Sequence, residues 1–442
     1  MSEATAIRGP ALTYTGDAFL HGLAATMRYE PDAIVAMKDG KITHFGPANE
    51  VRDALPRGTK IDELGKDTLT MAGFIDCHVH YPQTEIIGAY GEQLIDWLNK
   101  YTFIAEQQFA DKQHAREVAR VFLGECLRAG TTTAAVYCTV HPSSVDAFFE
   151  ESEALGTRMI AGKVLMDRNA PAALTDTPKT GYDESKALIG RWHGKGRQLY
   201  AVTPRFAPTS TPEQMEMTGA LWNEHPGTYL QSHIAETRDE AGWVRSLYPE
   251  CEGYLDVYDR YRQLGRRAIY GHGIWLTEAE LRRCHDTGTA LAHCPTSNLF
   301  LGSGCFDLKN AKKAGRPVKV GLATDLGAGT SFSMLQTLNE AYKVAQLNGN
   351  ALSSGHAFYL ATRGSAEALD LEDTIGSIAP GMEADLVVLD LKSTPLIEYR
   401  MRYCKDLAEA LSIQMTMGDD RAVLATYVAG KLAYARPARY YA

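Results

Sequence analysis

Nowhere in the chain is there a run of about 20 apolar side chains, the length needed to cross a bilayer. Residues 1–15, which carry Glu3 and Arg8, hold no apolar secretory core. Basic charge is not in excess either. The 45 lysines and arginines stand against 54 acids, a formal charge of −9, which leaves no electrostatic footprint for nucleic-acid phosphates or anionic lipid. Cysteine is scarce: Cys77, Cys126, Cys138, Cys251, Cys284, Cys294, Cys305 and Cys404 include no C-x-x-C pair, so no disulfide is expected and the set reads as reduced. Low-complexity tracts and short internal repeats are missing too. Together these absences predict a cytoplasmic protein whose partner is a small molecule, not nucleic acid or membrane.

What is present is enzyme-like, with 45% hydrophobic and 22% charged residues over 442 positions. Both ends read as β. Residues 33–37, the turn Lys38-Asp39-Gly40-Lys41 and residues 42–45 give a hairpin signal, and residues 384–390 and 422–428, followed by Gly430-Lys431, read as strands and a turn. The two ends predict one small β-sandwich domain from residues 1–70 and 378–442. Between them, strand candidates at 68–76, 131–136, 158–165, 199–203, 228–232, 268–271, 290–293 and 318–324 alternate with amphipathic stretches such as 118–128 and 145–155. That pattern predicts an α/β domain over residues 71–377, a (β/α)8 barrel, with a doubly wound open sheet as the alternative. The first crossover, residues 81–113, is too long for a plain loop and carries Tyr90, Trp97, Tyr101 and Phe103; it reads as a segment covering the site, with Trp97 packing that segment more than capping a ligand.

The first barrel strand ends Phe74-Ile75-Asp76-Cys77-His78-Val79-His80. The period of two puts His78 and His80 on one face, where two neutral imidazoles suit Zn²⁺, and turns Cys77 away from them. Later strands end in His233, His272 and Asp325, with Glu236 three residues beyond His233. A barrel gathers its strand ends around one rim, so these residues converge. His293 ends the seventh strand, where a supporting role and none at all are equally compatible. His21, His44, His114, His141, His193, His225, His285 and His356 read as structural or solvated.

These residues resemble the amidohydrolase superfamily, whose ligands follow strands one (H-x-H), five (His) and eight (Asp), with a further His after strand six; Gly381-Met382-Glu383-Ala384-Asp385-Leu386-Val387 is similar to its closing strand motif. Two-metal members carry a bridging lysine or Glu after strand four, where this chain has Pro204-Arg205-Phe206, and Lys163 sits too early. The resemblance therefore implies one zinc per chain, held by His78, His80, His233 and Asp325 with a position left for water. It also implies that Glu236 protonates the substrate, that Asp325 handles the water proton and that His272 stabilises the oxygen of the intermediate.

A narrower resemblance, to the guanine deaminases, rests on His80-Tyr81-Pro82-Gln83-Thr84-Glu85, Gly91-Glu92-Gln93-Leu94-Ile95-Asp96-Trp97-Leu98, Pro204-Arg205-Phe206, Ser232-His233-Ile234-Ala235-Glu236-Thr237 and Cys294-Pro295-Thr296-Ser297-Asn298-Leu299-Phe300-Leu301-Gly302-Ser303-Gly304. Ala72 stands where a proline often occurs. The resemblance implies hydrolysis of guanine to xanthine and ammonia in purine catabolism, with Gln83 and Arg205 bonding the purine edge and Phe206 near the ring plane, alongside His233, Glu236, His272 and Asp325; it also suggests a homodimer. The plain alternatives are a rim salt bridge for Arg205 and a loop-ordering bond for Gln83. The competing functions are a cytosine, s-triazine or thioadenosine deaminase-type hydrolase and a non-catalytic barrel scaffold. Zinc deaminases built on H-x-E and C-x-x-C are excluded, since neither string occurs.

Overall fold

A computed structural model describes residues 5–437; Glu3 and the rest of residues 1–4 lie outside them, as do residues 438–442. Eight parallel strands run in sequence order: Phe74–His80, Thr131–Tyr137, Arg158–Gly162, Leu199–Pro204, Tyr229–Ile234, Ala268–His272, Ala290–His293 and Lys319–Leu322. A short extension, Val164–Leu165, also pairs with the fourth strand. Their residues are almost all buried, as expected when helices cover the outer face of a parallel sheet. The chain closes into a barrel and does not form the open sheet.

Closure at the seam between strands eight and one comes from polar groups, not from a ladder. The Asp325 N–H donates to the His78 carbonyl at 3.0 Å. The buried Asp76 carboxylate accepts from the Thr324 N–H at 3.1 Å, from the Thr324 hydroxyl and from the His78 N–H at 3.2 Å. The same contacts that shut the barrel thus hold His78 and Asp325 together.

The chain ends build one mixed sheet, in the order Lys431–Ala435, Val423–Val428, Leu386–Asp390, Thr68–Ala72, Thr5–Tyr14, Met27–Lys38 and Lys41–Pro47, with Lys60–Glu63 on the flank of Thr5–Tyr14. The sheet curls so that Ile7, Val35 and Met37 share a buried cluster with Leu386, Val388 and Tyr427. One expectation needs correction. Residues 68–76 are two strands, not one: Thr68–Ala72 pairs with Leu386–Asp390 in the small sheet, and the barrel strand starts at Phe74. Gly73 is the crossing point, its N–H bonded to the Asp385 carbonyl and the next N–H to the Gly130 carbonyl. Glu383, in the closing strand motif, accepts from Arg158 at 2.7 Å and Arg197 at 3.0 Å, tying the closing segment to barrel strand three and to the turn that leads into strand four. Among the described residues no helix is long and apolar enough to cross a membrane.

Removing the Asp76 carboxylate strands two N–H donors and a hydroxyl in a dry seam. Asp76→Ala is expected to lower unfolding free energy by about 3 kcal/mol in chemical denaturation; a loss below about 0.5 kcal/mol, the usual range for surface substitutions, would show that the seam closes without it.

Candidate active site

The histidines and acids singled out at strand ends meet at the C-terminal mouth of the barrel. The Nε2 atoms of His78 and His80 stand 3.5 and 3.6 Å from Oδ1 of Asp325, and Nε2 of His80 is 3.1 Å from Nε2 of His233. Donors about 2.1 Å from one tetrahedral zinc lie about 3.4 Å from each other, so these separations are the edges of such a site. The Nδ1–H of His233 donates to the Arg205 carbonyl at 2.6 Å, which leaves Nε2 a bare acceptor. Nε2 of His78 is buried with no hydrogen-bond partner, a cost that a cation removes. Burial, reinforced by the neighbouring imidazoles, holds His78, His80 and His233 well below the ordinary histidine range, so all three rings are neutral, the form a metal ion would need. The residues present fit a metal ion.

The other sulfur and amine groups are accounted for elsewhere. Cys294 lies close enough to His78, His272 and Asp325 to be a fourth donor, yet its thiol donates to the Ala292 carbonyl at 3.5 Å and burial pushes its pKa well up, so it stays neutral. Cys77 turns outward to the Ser365 carbonyl at 3.7 Å, as strand alternation requires. Lys163 is ion-paired with Asp176. His293 packs on Phe306, with ring centroids 5.0 Å apart, and burial pushes it down to about 3.

Glu236 hangs over the same point. Its Oε2 is 3.5 Å from Nε2 of His272, and Oε1 accepts from the Ser303 hydroxyl at 2.9 Å. Burial lifts the carboxyl to about 7, with His272 opposing and the Glu240 and Asp325 carboxylates adding. Its loop is held by Glu240, which accepts from the Glu236 N–H at 2.8 Å and from the Tyr254 hydroxyl at 2.6 Å while closing a capping box with Thr237 at the start of helix Arg238–Leu247. The Nδ1–H of His272 donates to Oδ1 of Asn298 at 2.8 Å, which turns Nε2 toward Glu236 and Asp325. Desolvation works against the protonated ring, but these two carboxylates outweigh it and raise the His272 pKa. Ala235, His272 and Asp325 all adopt positive φ (47°, 73° and 47°), so three strand ends are bent sharply at this one place.

A cleft opens above, lined by Gln83, Leu94, Trp97, Leu98, Arg205, Phe206, Leu301 and Ala328 as well as His80, His233, Glu236, His272 and Asp325. Arg205 both forms a salt bridge and faces the cleft: its Nη1 donates to both oxygens of the buried Glu106. Trp97 packs with Leu301 and Ala328 and also walls the cleft, combining the two readings of that residue. Two glycines make room. A Cβ at Gly271 would lie 2.5 Å from Cε1 of His78, and one at Gly327, where φ is +119°, would lie 2.1 Å from Oε1 of Gln83. Sequence reasoning missed Glu106, Asn298, Ser303, Gly271, Gly327 and Tyr137, whose buried ring stacks on His80 at 4.5 Å.

Residues 69–433 match the amidohydrolase family. The chain belongs to the amidohydrolase family. This amidohydrolase is 51% identical to a guanine deaminase of Escherichia coli over 415 residues, 94% of each chain. The solved structure of E. coli guanine deaminase superimposes with a TM-score of 0.95 at 49% identity, covering 98% of this amidohydrolase and all of that chain. A guanine deaminase from C. acetobutylicum, solved with guanine in its active site, superimposes with a TM-score of 0.86 at 26% identity, over 98% and 100% of the two chains.

Because the His78 ring occupies the space a Gly271 side chain would take, Gly271→Ala is expected to keep the fold but weaken metal binding at least ~10-fold, the scale of losses when a ligand's support is disturbed. Competition with a chelator measures this; unchanged affinity would mean that His78 does not hold the ion.

Proposed function

We propose that this amidohydrolase is a cytoplasmic guanine deaminase that converts guanine and water to xanthine and ammonia in purine catabolism, with one zinc per chain on His78, His80, His233 and Asp325, and that it works as a homodimer. The observation that carries the reading is the placement of the Glu236 acid, with a pKa of about 7, beside His272 and the neutral histidine cluster, beneath a cleft walled by Gln83, Arg205 and Phe206. The likeness to guanine deaminases over nearly the whole chain supports it.

Zinc, when bound, supplies Lewis acidity that makes water a nucleophile at neutral pH. Arg205 and Gln83 hold the purine edge through hydrogen bonds, and Phe206 contributes apolar surface beside the ring. Glu236 gives its proton to the ring nitrogen next to the carbon bearing the amine, so negative charge does not accumulate on the ring as water attacks. Asp325 accepts one proton of the attacking water and returns it to the departing amine, which leaves as ammonia, and the remaining hydroxyl proton goes back to Glu236 as the new carbonyl forms, restoring the acid. His272, its protonated ring favoured by the neighbouring carboxylates, donates from Nε2 to the oxygen as its charge develops, while its Nδ1–H stays bonded to Asn298.

Elemental analysis of protein purified without added metal should give a zinc-to-chain ratio near one; a ratio near two, or iron as the sole supporting metal, contradicts the assignment. Glu236→Gln should keep its zinc yet turn over ~10²-fold or more slowly. Since the working form is the acid, kcat/KM of the parent falls as pH rises through about 7, and that limb disappears in Glu236→Gln. Loss of zinc in the variant would make Glu236 a ligand instead.

A further inference from the structure

Glu106 belongs to no barrel strand. It ends the short helix Phe103–Glu106 in the segment that covers the mouth, is 0% exposed, and places its two oxygens 2.9 and 2.8 Å from a single nitrogen, Nη1 of Arg205. The usual fork engages two guanidinium nitrogens. Gripping one leaves Nε and Nη2 for other partners, on a side chain that lines the cleft. Phe103, from the same helix, lies 5.5 Å from the guanidinium carbon and fixes the plane from beneath. A buried ion pair of this kind adds little stability, because desolvation offsets much of the Coulomb attraction; what it secures is geometry and charge balance. His78, His80, His233, Tyr137 and Asp325 also feel the Arg205 charge, and Glu236 and His272 line the same cleft; Glu106 is the carboxylate in direct contact with the guanidinium.

Charge balance matters for the reaction proposed above. Guanine is neutral near neutral pH, whereas xanthine sheds a ring proton more readily and is partly an anion there. A bare buried guanidinium would hold that anion. We propose that Glu106 is a positioning and specificity-determining residue: it aims Arg205 at the purine and cancels its charge, so the pocket accepts the neutral substrate and does not retain the anionic product. This rests on the guanine reading of the cleft.

The test is competitive inhibition of guanine turnover in mildly alkaline buffer by xanthine, largely anionic there, and by hypoxanthine, largely neutral. Glu106→Gln should bind xanthine tighter relative to hypoxanthine on the order of tenfold, the scale of one uncompensated charge at close range, and raise KM for guanine more than it lowers kcat. Glu106→Asp, which restores the charge, should move the inhibitor ratio back toward that of the parent. An unchanged ratio in a folded Glu106→Gln overturns the proposal and leaves Glu106 a packing residue. If that variant does not fold, the parent decides: its xanthine binding, relative to hypoxanthine, must weaken from slightly acidic to mildly alkaline buffer, and tightening overturns the proposal. A parent without guanine turnover overturns the functional reading itself, and is seen before any variant is made.

Discussion

Imidazole nitrogens crowded together at the buried mouth of a barrel cannot all find partners among themselves. Nε2 of His80 and of His233 stand 3.1 Å apart, and Nε2 of His78 has no partner. A cation among them would satisfy the nitrogens that lack a partner, provided the surroundings forbid relaxation. The surroundings do so by several independent means. A backbone carbonyl fixes the His233 tautomer, the Asp76 seam pins strand one to strand eight, and Gly271 leaves the space that the His78 ring needs. Burial keeps the rings neutral, so the same low-dielectric interior that makes the cluster costly without a metal makes it a strong ligand set with one.

The second constraint is that a hydrolase needs an acid close to neutrality beside that cluster. Glu236 reaches it through burial, on a loop clamped by Glu240 and Tyr254. In the proposed reaction the barrel supplies the reacting groups, while recognition is shared with the long first crossover. That segment contributes Gln83, Trp97 and, through Glu106, the orientation of Arg205. Chemistry and selection are built on different parts of the chain and meet at one guanidinium.

The sequence carried the strand ends well, because each is marked by a polar residue after an apolar run and a barrel has only one rim to which they can go. His78 and His80 were legible from a period of two, and Cys77 from its opposite parity. Residues 68–76 were misread as one strand because the apolar pattern runs without interruption through Gly73, and only the hydrogen-bond partners on either side reveal the change of sheet. Glu106 left no local mark, and Asn298 and Ser303 stood in the motif at 294–304 without a role. Each acts through a residue far away in sequence, Arg205, His272 and Glu236 respectively, so pairing becomes visible only in three dimensions. The roles of Gly271 and Gly327 were hidden for the same reason, since their value lies in what they leave empty.

The most direct measurement is a coupled assay on the purified protein, offering guanine beside adenine, cytosine and an s-triazine, and following base and ammonia together. This account predicts xanthine and ammonia released in equal amounts from guanine, with adenine, which lacks the keto oxygen and carries its amine elsewhere, turned over poorly. No xanthine, or a preference for cytosine or the triazine, would contradict it and leave only membership of the amidohydrolase family standing.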